Sequence, residues 1–174
     1  YGRPDDVYRT QSITGVEAAA FLLEKSDHLI QGNYIAPTRP EMTASEFADR
    51  LQRAIDAYFI DDKVEVRIDD ALSAKAIAGT TRIRIRASAL FSDLDFDQLF
   101  QHEALIHTAT AINGRRQPKL KSMALGAPRT TRTQEGIAVF AELVTRSIDI
   151  SRLRRLAVRI QALKHALDGA DFIE

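Results

Sequence analysis

Apolar positions recur along this chain in two rhythms, one near 3.6 residues and one of strict alternation. From Thr14 the pattern turns helical: Val16, Ala19, Ala20, Leu23 and Ile30 share a face, and the helix is expected to end before Gly32. A polar leading segment (1–12) precedes it. Residues 32–40 follow as a connector, where Pro37 and Pro40 hold their neighbours extended. Thr43 with Glu46 is a capping-box signal for a second helix through Phe47, Leu51, Ile55 and Tyr58. The rhythm then changes to alternation in residues 64–68 and 81–87, predicting two strands. In the second, Ile83 and Ile85 point one way and Arg82, Arg84 and Arg86 the other, as on a sheet with a solvated face. Ser92 and Asp95 offer caps for a helix through Leu99, Phe100, Leu105 and Ile112 that ends near Gly114. A basic loop (115–132), an apolar run from Ile137 to Ile148, and a helix capped by Ser151 and closed by Gly169 complete the chain. Helices, a small sheet, then helices again make an α+β fold.

Composition narrows the chemistry. The 174 residues suit one domain and, with no Met at the start, are expected to be a piece of a longer protein. Lys and Arg number 24 and so do Asp and Glu, a balance that argues against a nucleic-acid binder. No run of about 18 apolar residues predicts a membrane span. The chain is therefore expected to be soluble and cytoplasmic. Cysteine is absent, which removes disulfides, thiolate metal sites and a Cys nucleophile. Any bound metal must use His, Asp or Glu.

Two of the four histidines bracket a glutamate in HEALIH: His102, Glu103 and His107. In the familiar H-E-x-x-H zinc motif the histidines are four apart and share a helix face. Here they are five apart, which a regular α-helix would splay by about 140°. A π-bulge brings positions i and i+5 back into line, so the motif predicts a distorted helix. Two imidazoles are half of a hydrolytic zinc site, which wants a third protein ligand and an open position for water. Glu135, in TQEGIAVFAEL, is the candidate third ligand; Glu142, two turns on, is the alternative, and Asp149 lies too far along. With His102, His107 and Glu135 on zinc, Glu103 is placed to take a proton from water and pass it to a leaving amine. Gln134 is a candidate to hydrogen-bond a ligating side chain.

HEALIHTATAINGRRQP followed by TRTQEGIAVFAEL resembles the tyrosine carboxypeptidase family, which includes microtubule-associated tyrosine carboxypeptidases and bacterial flavohaemoglobin expression-modulating, QEGLA-motif proteins. The resemblance rests on H-E-x-x-x-H and on QEGIA (Gln134 to Ala138), with Ile137 in the Leu position, and is strongest from about Asp95 to Leu143. It implies a mostly helical zincin-like metallopeptidase core with His102, His107 and Glu135 as zinc ligands and Glu103 as the catalytic base. Animal members carry Glu-Glu where this chain has Gln134-Glu135, so the departure falls beside the ligand. The implied activity is removal of C-terminal residues from a peptide or protein. The rival reading is a non-catalytic zinc-binding regulatory module of the QEGLA-motif type.

Six basic residues lie between the motifs, and Arg116 and Lys121 are candidates to hold a terminal carboxylate. The strand at 81–87 could offer an edge to an extended peptide, although packing on the His102 helix is its simpler role. The last helix sets Arg152, Arg154, Arg155, Arg159 and Lys164 opposite its leucines, the pattern of a packed surface helix. His28 and His165 lack ligand spacing and receive no role.

Overall fold

The computed structural model describes residues 3–7, 12–32, 34 and 39–171. The leading segment at 1–12 and the connector at 32–40 therefore lie partly outside the described residues, as do the last three residues. The chain is α+β and divides into two compact units, Tyr1–Pro37 with Ile148–Glu174, and Thr38–Ser147. Among the described residues no helix is long and apolar enough to cross a membrane.

In the first unit, α1 (Gly15–Gln31) packs against α6 (Ile150–Leu167). Thr14 caps α1 by accepting from Glu17 N, while the Glu17 carboxylate reaches back to Thr14 N. The cap of α6 is Asp149, not Ser151: its Oδ1 accepts from Arg152 N at 2.6 Å. A carboxylate at the extended residue before the first turn satisfies that free N–H and complements the helix dipole, leaving Ser151 inside the helix. Arg154 spans the pair, donating to Ser26 Oγ at 2.9 Å and pairing with Asp27.

The second unit holds α2 (Ala44–Tyr58), a three-stranded sheet, and a helical run leading into α5. The strands are β1 (Glu65–Asp69), β2 (Ala76–Ala78) and β3 (Arg82–Arg86), in the order β1-β3-β2. β1 runs parallel to β3 with Val66 opposite Ile83, and β2 runs antiparallel with Ala76 opposite Ile85. The expectation that the 81–87 strand could present an edge is thus corrected, because β3 is central. Strand β2 is too short to show alternation and takes the edge position instead.

The core follows from periodicity. Phe47, Leu51 and Ile55 recur every fourth residue of α2 and are fully buried, as are Ile83 and Ile85. Phe91 stacks on Phe47 with centroids 4.1 Å apart. The arginines of β3 keep to the other face, where Arg84 pairs with Asp69 at 3.2 Å. Each sheet edge is closed by a side chain from a helix. On β1, Gln52 donates to Val64 O at 2.9 Å and accepts from Val66 N at 2.7 Å. On β2, Ala78 N donates to Glu103 Oε2 at 2.8 Å. Edge groups left bare would invite pairing with another chain.

The helical run starts at α3 (Asp93–Leu99), where Ser92 and Asp95 cap each other. It continues as a π-helix (Phe100–Thr108) and finishes as α4 (Ala109–Arg115). A 3₁₀ turn (Lys121–Ala124) folds back on α4. A Cβ on Gly114 would come within 2.4 Å of Ala124 N, so only glycine allows this approach. α5 (Pro128–Val144) begins well before Glu135, inside the segment expected to be loop. Pro128 occupies the first turn, where its missing N–H costs nothing.

Candidate metal centre

HEALIH lies wholly within the π-helix. Hydrogen bonding from i to i+5 widens the turn, so His102 and His107 fall one above the other rather than on diverging faces. Their ring centroids are 4.8 Å apart. Such helices are rare because they leave poor packing along the axis, so this one needs support from its neighbours. Thr108, fully buried, provides part of it by donating to Gly79 O at 3.3 Å. Glu103 provides another part through its bond to Ala78 N.

α5 packs against the π-helix and supplies what the imidazoles face. The Glu135 carboxylate takes both: its Oε2 is 3.6 Å from His102 Nε2 and its Oε1 3.3 Å from His107 Nε2. On the far side of each ring, Nδ1 has its own partner. His102 Nδ1 lies 2.6 Å from Glu142 Oε1, and His107 Nδ1 lies 3.3 Å from Gln134 Oε1. A carboxylate or amide oxygen only accepts, so both Nδ1 atoms carry hydrogen. The two Nε2 atoms therefore share one orientation, toward Glu135.

The donor set fits a divalent cation. One nitrogen from each of His102 and His107 and one oxygen of Glu135 all lie within 4.8 Å of one another, so the three residues could hold a metal ion. Tetrahedral zinc with bonds near 2.05 Å separates its ligand atoms by about 3.3 Å. The distances from Nε2 to carboxylate oxygen, 3.3 and 3.6 Å, already approach that figure. Two imidazoles and a carboxylate also leave a fourth position open, as hydrolytic sites require.

Electrostatics point the same way. Burial works against charge on His102, yet hydrogen bonds to Glu135 and Glu142 outweigh it and lift the pKa to about 9. The hydrogen bond to Glu135 raises His107 as well. Those two imidazoles hold the Glu135 carboxyl well below the usual carboxylate range. The raised imidazoles and the lowered carboxyl favour positive charge at the point where the three groups meet. Glu103 moves in the opposite sense, pushed up mainly by burial.

The structure brings His102, His107, Gln134 and Glu135 together, while the carboxylate of Glu103, next to His102 in the chain, is bonded to Ala78 N. It does not gather the two basic candidates. Arg116 is committed to Asp62 at 2.6 Å, and Lys121 is exposed on the 3₁₀ turn; neither is joined to the cluster by a hydrogen bond or ion pair. Glu142 was an alternative ligand by sequence but sits behind His102, on the nitrogen that faces away from Glu135. Ala78 was not anticipated at all. Glu142 had left a signal: it is the lone carboxylate in the apolar run from Ile137 to Ile148, seven residues after Glu135 and thus on nearly the same face. The backbone group of Ala78 had none.

A family model described as microtubule-associated tyrosine carboxypeptidase matches residues 1–174, the whole chain. No curated protein and no solved structure matches it.

Proposed function

The chain belongs to the microtubule-associated tyrosine carboxypeptidase family, and from that premise we propose that it is a zinc-dependent metallopeptidase that removes C-terminal residues. The observation that carries the reading is the convergence of His102 Nε2, His107 Nε2 and the Glu135 carboxylate, each imidazole backed on its other nitrogen. On this reading the second unit is a zincin-like core, His102, His107 and Glu135 hold zinc, and Gln134 orients His107. The substrate is the C-terminus of a peptide or protein. The family description names tyrosine as the residue removed, so a C-terminal tyrosine is the first to try. A chain without cysteine suits the cytoplasm, where thiols are kept reduced and disulfides contribute nothing.

When bound, the cation supplies Lewis acidity, polarising the scissile carbonyl and acidifying water. The chain's own residues manage the proton. Glu103 follows His102 directly in the π-helix, and its carboxylate is held by Ala78 N–H at 2.8 Å. From there it accepts the proton of the attacking water on a carboxylate oxygen and delivers it to the departing amine. Burial raises its pKa, which makes the carboxylate a stronger base for taking that proton. Holding the carboxylate against a strand also limits the positions it must search.

Replacing Glu103 by Gln tests this. Zinc should stay bound, while cleavage of peptides with different C-terminal residues should fall by about 10²- to 10⁴-fold. A wild-type protein that holds zinc and leaves every such peptide intact would instead establish the regulatory zinc-binding module.

A further inference from the structure

We propose that Glu142 is a positioning residue: its buried carboxylate fixes the hydrogen of His102 on Nδ1 and makes that imidazole the stronger of the two nitrogen ligands. The inference rests on the metal-centre reading above and adds to it the group that sets the affinity.

A carboxylate with no exposed surface is costly to place, since it gives up its hydration. Glu142 recovers part of that loss from His102 Nδ1 at 2.6 Å, the shortest contact around either ring. The placement follows from α5. Seven residues separate Glu135 from Glu142, almost two full turns, so both carboxylates project from one stripe about 10 Å apart along the axis. The His102 ring fills the gap between them as a rung, with Nε2 toward Glu135 and Nδ1 toward Glu142. Rotation about χ2 would break both contacts at once. The ring is held in the orientation a metal ligand needs.

His107 is treated differently. Its Nδ1 meets a neutral amide oxygen, Gln134 Oε1, at 3.3 Å. A carboxylate accepts more strongly than an amide and pushes electron density through the ring to Nε2. The same helix therefore backs both histidines but arms only one. His102, buried, is the anchor; His107, more accessible, is the weaker ligand.

The test uses the whole chain, purified without a His tag, and measures the zinc dissociation constant by competition with a chromophoric chelator. Wild type should bind about one zinc. Glu142→Gln keeps shape and an acceptor but removes the charge, and should weaken zinc binding by about 10- to 100-fold. Glu142→Met, which keeps volume and removes the acceptor, should weaken it further. The ring ¹⁵N signals of zinc-loaded protein provide a readout that general destabilisation would not move. In Glu142→Gln the His102 Nδ1 resonance should shift, while that of His107 stays in place. Unchanged affinity together with an unchanged His102 signal would overturn the role of Glu142 and leave the metal centre standing. A folded wild type that binds no zinc would overturn both.

Discussion

α2 and the π-helix lie in the same unit and are built on opposite principles. α2 is regular: Thr43 and Glu46 cap it reciprocally, and Phe47, Leu51 and Ile55 form an unbroken buried stripe. Every residue there obeys the 3.6 period. The π-helix buries His102, Ala104 and Thr108, a set with no such stripe. It gives up periodicity to align two imidazoles five residues apart. α2 owes its stability to apolar area removed from water, whereas the π-helix depends on polar partners from β2 and α5. Regular helices build the core here, and the irregular one holds both histidines of the candidate metal centre.

Substituting one residue in each helix should separate the two principles most strongly. Leu51→Ala leaves a cavity under α2 and should cost about 2–5 kcal/mol of unfolding free energy in a denaturant titration. Its folded fraction should still take up zinc. His102→Ala should reduce bound zinc from about one per chain to near none, read by metal analysis. Zinc loss from the first variant, or retention by the second, would break the division of labour.

Between about pH 6.5 and 9 the pH dependence should come from the π-helix and not from α2. His102 has a folded-state pKa raised from 6.5 to about 9, and a raised imidazole stabilises most below its unfolded value. In metal-free protein that contribution, on the order of 3 kcal/mol, is complete below about pH 6.5 and lost as pH climbs through about 9. The chelated wild type should therefore melt at lower temperature across that window. Zinc binding must displace the same protons, so apparent zinc affinity should rise over it. Leu51→Ala should keep this pH dependence and His102→Ala should lose most of it.

A smaller effect probes the seat of Glu103. Ala78 N–H points away from β3, so Ala78→Pro removes the donor without breaking the ladder. Turnover should drop by about 10- to 100-fold, the worth of one charged hydrogen bond, with zinc content unchanged. The smallest effect belongs to α2. Thr43→Ala removes its cap and should cost about 1 kcal/mol in thermal unfolding, with no effect on zinc affinity.

Legibility in the sequence follows the same division. The α2 cap, the Ser92 cap of α3 and the alternation of Ile83 and Ile85 were readable because each depends on neighbours within a few residues. The i,i+5 spacing of His102 and His107 announced an irregular helix, since no regular one could use it. Other features were hidden. β2 is three residues long and exists through pairing with β3. The central place of β3 depends on that strand. The early start of α5 was masked by its basic first turns, and Asp149 took the cap expected of Ser151. Arg116, by its charge a candidate to hold a terminal carboxylate, is committed to Asp62, a partner 54 residues away.

By itself, the sequence determined the α+β composition, the capped regular helices, and a cysteine-free donor set that limits any metal to nitrogen and oxygen ligands. Local hydrogen bonds and hydrophobic periodicity suffice for these, because both act over one or two turns. The tertiary structure alone decided which carboxylate faces which imidazole nitrogen. It set Glu135 in front of both rings, Glu142 behind one and Gln134 behind the other, and it laid β2 against Glu103. Those choices depend on how α5 and β2 pack on the π-helix, and that packing joins residues dozens of positions apart.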